Sequence, residues 1–229
     1  MRGTIVNVLA VLVGSGIGLA IGNRLPERLQ RVITTALGLS TLLIGMQMAL
    51  KVQNVLIVIA SMVIGGMIGE WLGIEAVLDR AGEWLKARAS SNSGTFVTGY
   101  VTASLVFCVG PMTILGSIQE GISGNPDIIY TKSMLDGAAS IAFASSLGVG
   151  VGFAAVTVLV LQGALTLLGT QLAFLLRPEI LNELTATGGL LILAIGLLLL
   201  EVKRIRVANL LPALVVVVVL TAARLSLGR

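Results

Sequence analysis

Residues 133–175 are almost uninterrupted apolar sequence. As one helix, at about 1.5 Å per residue, this run would exceed ~60 Å, twice the hydrocarbon thickness of a bilayer. It must therefore fold back, and the cluster Gly148, Gly150 and Gly152 is the natural hinge. Similar runs fill the rest of the chain. Hydrophobic residues make up 56% and charged residues 11% of 229 positions, and the mean hydropathy is +1.02. Those values lie outside soluble globular composition and inside the polytopic membrane class. A span needs roughly 20 apolar residues, so seven or eight spans with short loops leave no room for a soluble domain.

The apolar pattern predicts spans over residues 4–21, 32–50 and 55–70, and then from Phe96 to a break at Gly110–Pro111. After the break come a short or re-entrant segment at 133–147 and spans over 151–175, 184–200 and 210–225. The N-terminal run begins like a signal peptide. It is close to span length, however, and no A-x-A-like cleavage site follows, so it reads as the first span. Its glycines Gly14, Gly18 and Gly22 share one helical face, a pattern that lets helix backbones approach closely. Residues 71–88 are amphipathic and read as an interfacial helix anchored by Trp71 and Trp84. Residues 89–95 form a polar linker.

The net charge of +4 comes from basic residues scattered between apolar spans, with no basic stripe interleaved with aromatics. This is the distribution of the positive-inside rule, not of a nucleic-acid binder. With eight crossings, Arg24/Arg28/Arg31, Arg80/Lys86/Arg88 and Lys203/Arg204/Arg206 share one side. Both termini then lie outside the cytoplasm. Two parts of the chain also match. Pro26-Glu27 followed by Leu29 aligns with Pro178-Glu179 followed by Leu181, and residues 34–45 align with 185–196. Spans 1–3 then correspond to spans 6–8 in opposite orientation, the layout of many secondary transporters.

The fold expected is an all-α polytopic membrane protein with about eight transmembrane segments in one domain covering 1–229. Residues 1–70 form repeat one, 71–95 the interfacial helix and linker, 96–147 the broken and short central helices, and 148–229 repeat two.

Broken or short spans are the best sequence pointer to a transport site, because freed backbone groups need protein or a wet cavity beside them. The central stretch SLVFCVGPMTILGSIQEG, residues 104–121, carries such a break. The candidate ion- or solute-binding residues are Gly110, Pro111, Thr113, Ser117, Gln119 and Glu120 there, with Asp136 and Ser140 in the following segment and the amides Gln47 and Asn7. Glu120 and Asp136 are the leading acids, with carbonyls freed near Pro111 as further oxygen ligands. The competing reading makes both acids solvated boundary positions, and the Lys132–Asp136 i, i+4 spacing a boundary salt bridge. Glu70 reads as a boundary acid. Gln162 reads first as an interhelical amide, with lining of a permeation path as the second reading.

The chain has no histidine and a single cysteine, Cys108. No disulfide, metal-ligand spacing, cofactor motif or catalytic constellation follows, so no enzyme is expected.

The opening MRGTIVNVLAVLVGSGIGLAIG, the Gly65-Gly66-x-x-Gly69-Glu70 element and FCVGPMTILGSIQEG together resemble the YdfK/YqgA family of bacterial inner-membrane proteins of unknown function. The resemblance covers essentially the whole chain. It implies a multi-pass protein of the bacterial cytoplasmic (inner) membrane, a transporter or channel, and carries over no substrate and no functional residues.

The function expected is therefore a transporter or channel for a small ion or solute. The oxygen-rich, histidine-free inventory favours a hard monovalent cation over a transition metal. Scarce buried charge also suits a small neutral solute. The alternative is a non-transporting scaffold or assembly partner. The partners expected are the lipid bilayer, a small ion or solute and, from the glycine faces, a second copy in a homodimer. No cofactor is expected.

Overall fold

A computed structural model of the chain describes residues 1–77, 80, 95–203 and 205–228, with all their side chains except that of Glu27. Nine α-helices follow in order among the described elements. They are α1 Arg2–Gly22, α2 Glu27–Ala49, α3 Val55–Leu72, α4 Phe96–Cys108, α5 Pro111–Ser123, α6 Asp127–Leu147, α7 Gly150–Leu167, α8 Pro178–Leu199 and α9 Ala213–Leu227. Short 3-10 turns precede α8 (Ala173–Leu176) and α9 (Val207–Leu210). Six described helices are long and apolar enough to cross a membrane. The pair α4 and α5, bent by 58° at Gly110–Pro111, supplies a seventh if it counts as one span.

Local chemistry sets the helix ends. Asn54 caps α3, its Oδ1 accepting the N–H groups of Leu56 and Ile57. Pro111 and Pro178 occupy the first positions of α5 and α8, where the missing N–H costs nothing. Gly148 separates α6 from α7 at φ +80° and ψ −160°, a conformation essentially reserved for glycine. The expected hinge is therefore there. The expected short segment is not short: α6 starts at Asp127 and has 21 residues, about 31 Å of helix. Asp127, Lys132 and Asp136 lower its hydropathy and hide its first turns. The span expected to reach 175 ends at Leu167. Beyond Gly73, residues 74–77 are helical, while 81–94, with Trp84 and most of the expected linker, lie outside the described residues.

Packing divides the chain into two compact units. Unit 1 takes residues 1–37 and 81–173, and unit 2 takes 38–80 and 174–229. In unit 1, α1 and α6 run parallel. Cβ atoms added to Gly14, Gly18 and Gly22 would strike the carbonyls of Gly137, Ile141 and Ser145 in turn. The contact continues to Gly3 against Ile129, so α6 accompanies α1 over nearly its whole length. Helix α7 runs antiparallel to α1, with Asn7 beside Gln162 and Ser15 beside Gly152. The bent pair follows α7 from Phe96 against Gly150 to Ile118 against Gly169. Phe96–Phe153 and Phe107–Phe143 ring contacts, at 5.3 and 6.3 Å, tie α4 to α7 and α6.

In unit 2, α2 and α8 pack antiparallel, with Gly45 against Gly189 and Leu193, and Gly196 against Leu42. Helix α3 packs antiparallel to α9 and the turn before it, with Gly65 at Ala213 and Gly69 at Asn209. Helix α8 is the most enclosed spanning helix, 72% buried against 22% for α3.

Candidate functional site

Buried polar side chains collect in unit 1 where α1, α5, α6 and α7 meet. Asn7 is fully buried, and its Nδ2 donates to Asp136 Oδ2 and to Gln162 Oε1, both at 3.0 Å. Asp136 also pairs with Lys132, one turn earlier on α6. Both are almost completely enclosed, so this is an interior ion pair and not the boundary salt bridge of the simpler reading. Asp136 lies about 13 Å along α6 from its start, well inside the helix.

One turn from Asn7 towards the start of α1, Glu120 Oε1 accepts from the Met1 ammonium at 2.7 Å and from the Gly3 N–H at 3.0 Å. Each buried acid of the network thus holds a cation of the protein itself, as burial of charge demands.

Several buried polar atoms remain without a hydrogen-bond partner: Thr4 Oγ1, Asn7 Oδ1, Ser117 Oγ, Glu120 Oε2, Ser140 Oγ and Gln162 Nε2. Ser117 precedes Glu120 by three residues on α5, and Ser140 follows Asp136 by four on α6, so each shares a helical face with its acid. Unpartnered groups at such depth are costly and call for a functional account.

The break itself is self-sealed. Pro111 deprives the Phe107 carbonyl of its helical donor, and the Thr113 hydroxyl donates to that carbonyl at 2.9 Å. That freed carbonyl is thus already engaged within the chain. Gly110, Pro111 and Gln119 are half-buried at the break and along α5. Gln47 corrects the sequence reading: it is exposed on α2, belongs to unit 2 and makes no hydrogen bond to the residues that converge on Asn7. The helix period turns it away from the Gly45 face that meets α8.

Sequence reasoning left out part of the network. From sequence, Gln162 reads first as an interhelical amide and only second as a path-lining residue, and Lys132 reads as a boundary residue. Thr4 and the Met1 ammonium carry no site signal of their own in the sequence, although Thr4 and Asn7 lie three residues apart in an apolar helix. In unit 2, Glu70 is a boundary acid bonded to Arg206 and Asn209. Glu183 is buried and accepts the N–H groups of Gln53 and Asn54, closing the turn before α3. A shallow apolar groove of about 640 Å³ between α3 and α9 offers only Asn54 and Arg224 as strongly polar lining.

Comparison with known proteins gives full-length matches. A family described as a protein of unknown function, DUF554, matches residues 2–222. The chain is 33% identical to the uncharacterized protein YqgA of Escherichia coli (strain K12), over 96% of each chain. It is 30% identical to the uncharacterized membrane protein YdfK of Bacillus subtilis (strain 168), over 94% of this chain and 93% of that one. No solved structure matches. Apolar helices and full-length relatives agree: this is a membrane protein, and it belongs to the DUF554 family.

Proposed function

We propose that this protein is a transporter or channel for a small ion or solute, with its path through the polar network of unit 1 beside the bent pair α4–α5. One observation carries the reading: buried, unpartnered polar atoms of Asn7, Ser117, Glu120, Ser140 and Gln162 sit between apolar helices. A scaffold has no use for such groups, whereas a path needs them to replace a solute's hydration.

The packing directions support an inverted repeat. Counterparts α1 and α7, α2 and α8, and α3 and α9 each run antiparallel in contact. They also support eight crossings, because α6 runs beside α1 over nearly its whole length. With the basic loops facing the cytoplasm, both termini lie outside it, in the inner membrane. The chain performs no covalent chemistry in this reading.

The homodimer expectation loses the feature that motivated it, since the Gly14, Gly18 and Gly22 face is occupied by α6 of the same chain. Assembly remains the competing role. Single cysteines placed by Ser117→Cys, Asp136→Cys and Ser140→Cys in a Cys108→Ser background distinguish the two. Graded labelling by a membrane-impermeant thiol reagent, reaching Ser140→Cys, is expected of a path. Absence of labelling at all three positions overturns it in favour of the scaffold.

A further inference from the structure

Resting on the path just proposed, the geometry points to its cargo: a small uncharged solute that both donates and accepts hydrogen bonds, recognised by Asn7 and Gln162. Alcohols, amides and urea have this chemistry.

Charge balance is the first argument. Asp136 is paired with Lys132 and also takes an Asn7 N–H. Glu120 Oε1 takes the Met1 ammonium and the Gly3 N–H. An entering metal cation, whether it displaces one of these protein cations or sits at the unpartnered Glu120 Oε2, adds charge where the fixed charges already balance and leaves a buried charge uncompensated. An entering anion finds both fixed cations already matched. A neutral molecule disturbs neither pair.

Amide orientation is the second. A carboxylate only accepts, so Asp136 forces the Asn7 side chain to present its NH₂ to α6. That same NH₂ reaches Gln162 Oε1 at 3.0 Å. Two amides facing each other normally exchange two hydrogen bonds; here one is made. Asn7 Oδ1 is left as a free acceptor and Gln162 Nε2 as a free donor, in residues that are both fully buried. A ligand group with one donor and one acceptor completes both. Ser140 Oγ, fully buried and unpartnered one turn along α6, adds a hydroxyl of either sense. Further along, Gly14 on Gly137 brings α1 against α6 and limits the cargo to a small molecule.

The test uses full-length protein in proteoliposomes. Light-scattering relaxation is followed after osmotic shock with urea, acetamide or glycerol, beside uptake of radiolabelled sodium and rubidium. The expected result is uncharged-solute permeation well above protein-free vesicles, with both cations at background. Losing one hydrogen bond of about 1–1.5 kcal/mol lowers permeation roughly tenfold, so Asn7→Leu and Gln162→Leu should each show a fall of that order. Ser140→Ala, which leaves the ion pair and both amides in place, provides a milder variant should either leucine variant fail to fold, and should give a smaller fall. Cation uptake without solute permeation overturns this inference and leaves the transport reading standing. Solute permeation that all three variants leave unchanged also overturns it. If neither solutes nor cations move, the transport reading falls with it.

Discussion

In unit 1, buried polar side chains reach across helices far from their ends. Asn7 joins α1 to α6 and α7, and Asp136 and Ser140 face that junction from the body of α6. In unit 2, the long-range polar contacts fasten helix ends. Glu183 holds the turn before α3, and Glu70 and Glu75 bind the turn before α9 through Arg206, Asn209 and the Ala208 N–H. Polar groups at helix ends satisfy backbone that would otherwise lack partners. Polar groups in the middle of a membrane helix, where the backbone is already bonded, answer no such need. In the proposed reading this contrast puts the path in unit 1 and gives unit 2 a supporting part.

The sharpest way to break that contrast is at the interior ion pair. Asp136→Leu leaves Lys132 buried and unpaired, and removing one partner of such a pair costs about 3–5 kcal/mol. The combination of Asp136→Leu with Lys132→Met removes both charges and should restore most of the stability. Thermal unfolding midpoints in detergent compare the two. A single variant as stable as the double one means that the pair is hydrated, and the enclosed network described for unit 1 is then wrong.

A second comparison lies within α1. Gly18→Leu would drive a side chain into the Ile141 carbonyl, and overpacking of this kind costs about 1–3 kcal/mol. Gly16 has nothing within 4 Å of an added Cβ, so Gly16→Leu should be neutral or stabilising by up to ~1 kcal/mol, the helix-propensity difference. Equal losses at both positions would mean that the outer face of α1 is also covered, which would revive assembly as the role of this helix.

Which parts of the molecule were legible in the sequence follows from the physics of each signal. Glycine spacing on α1 predicted close packing, and the break at Pro111 and hinge at Gly148 stand where backbone sterics require them. The start of α6 was hidden, because Lys132 and Asp136 look like the edge of a span when read singly and become compatible with its interior only as a pair. The network was half visible. Asn7, Ser117, Glu120, Asp136 and Ser140 stood out as polar residues in apolar runs. Their partners did not, since the Glu120–Gly3 and Asn7–Gln162 contacts join residues more than a hundred positions apart. Gln47 misled because an amide in an apolar helix says nothing about which way it faces.

For unit 2 the informative residue is Glu183. Glu183→Ala strips the acceptor from two backbone N–H groups and should destabilise by about 1–3 kcal/mol, while Glu183→Gln keeps an oxygen there and should recover part of it. Solute permeation per folded molecule should match the parent in both variants. A fall in permeation with unchanged stability in Glu183→Gln would place function in unit 2 as well, where Glu183 Oε2, Thr187 Oγ1 and Thr221 Oγ1 are buried without partners.

The smallest effect belongs to Glu70 and Arg206, which pair at 2.7 Å with their side chains 60% and 69% exposed. Exposed ion pairs contribute about 0–1 kcal/mol and weaken with salt. Glu70→Gln keeps a side-chain acceptor for Asn209 while removing the charge, so its cost should stay below about 1 kcal/mol and shrink further at high ionic strength. Set beside Asp136→Leu, this measures what enclosure does to a carboxylate with a basic partner. If Glu70→Gln proved as damaging as loss of Asp136, the Glu70 site would have to be shielded by lipid or by another protein surface. The division between an interior network in unit 1 and helix-end fastenings in unit 2 would then no longer hold.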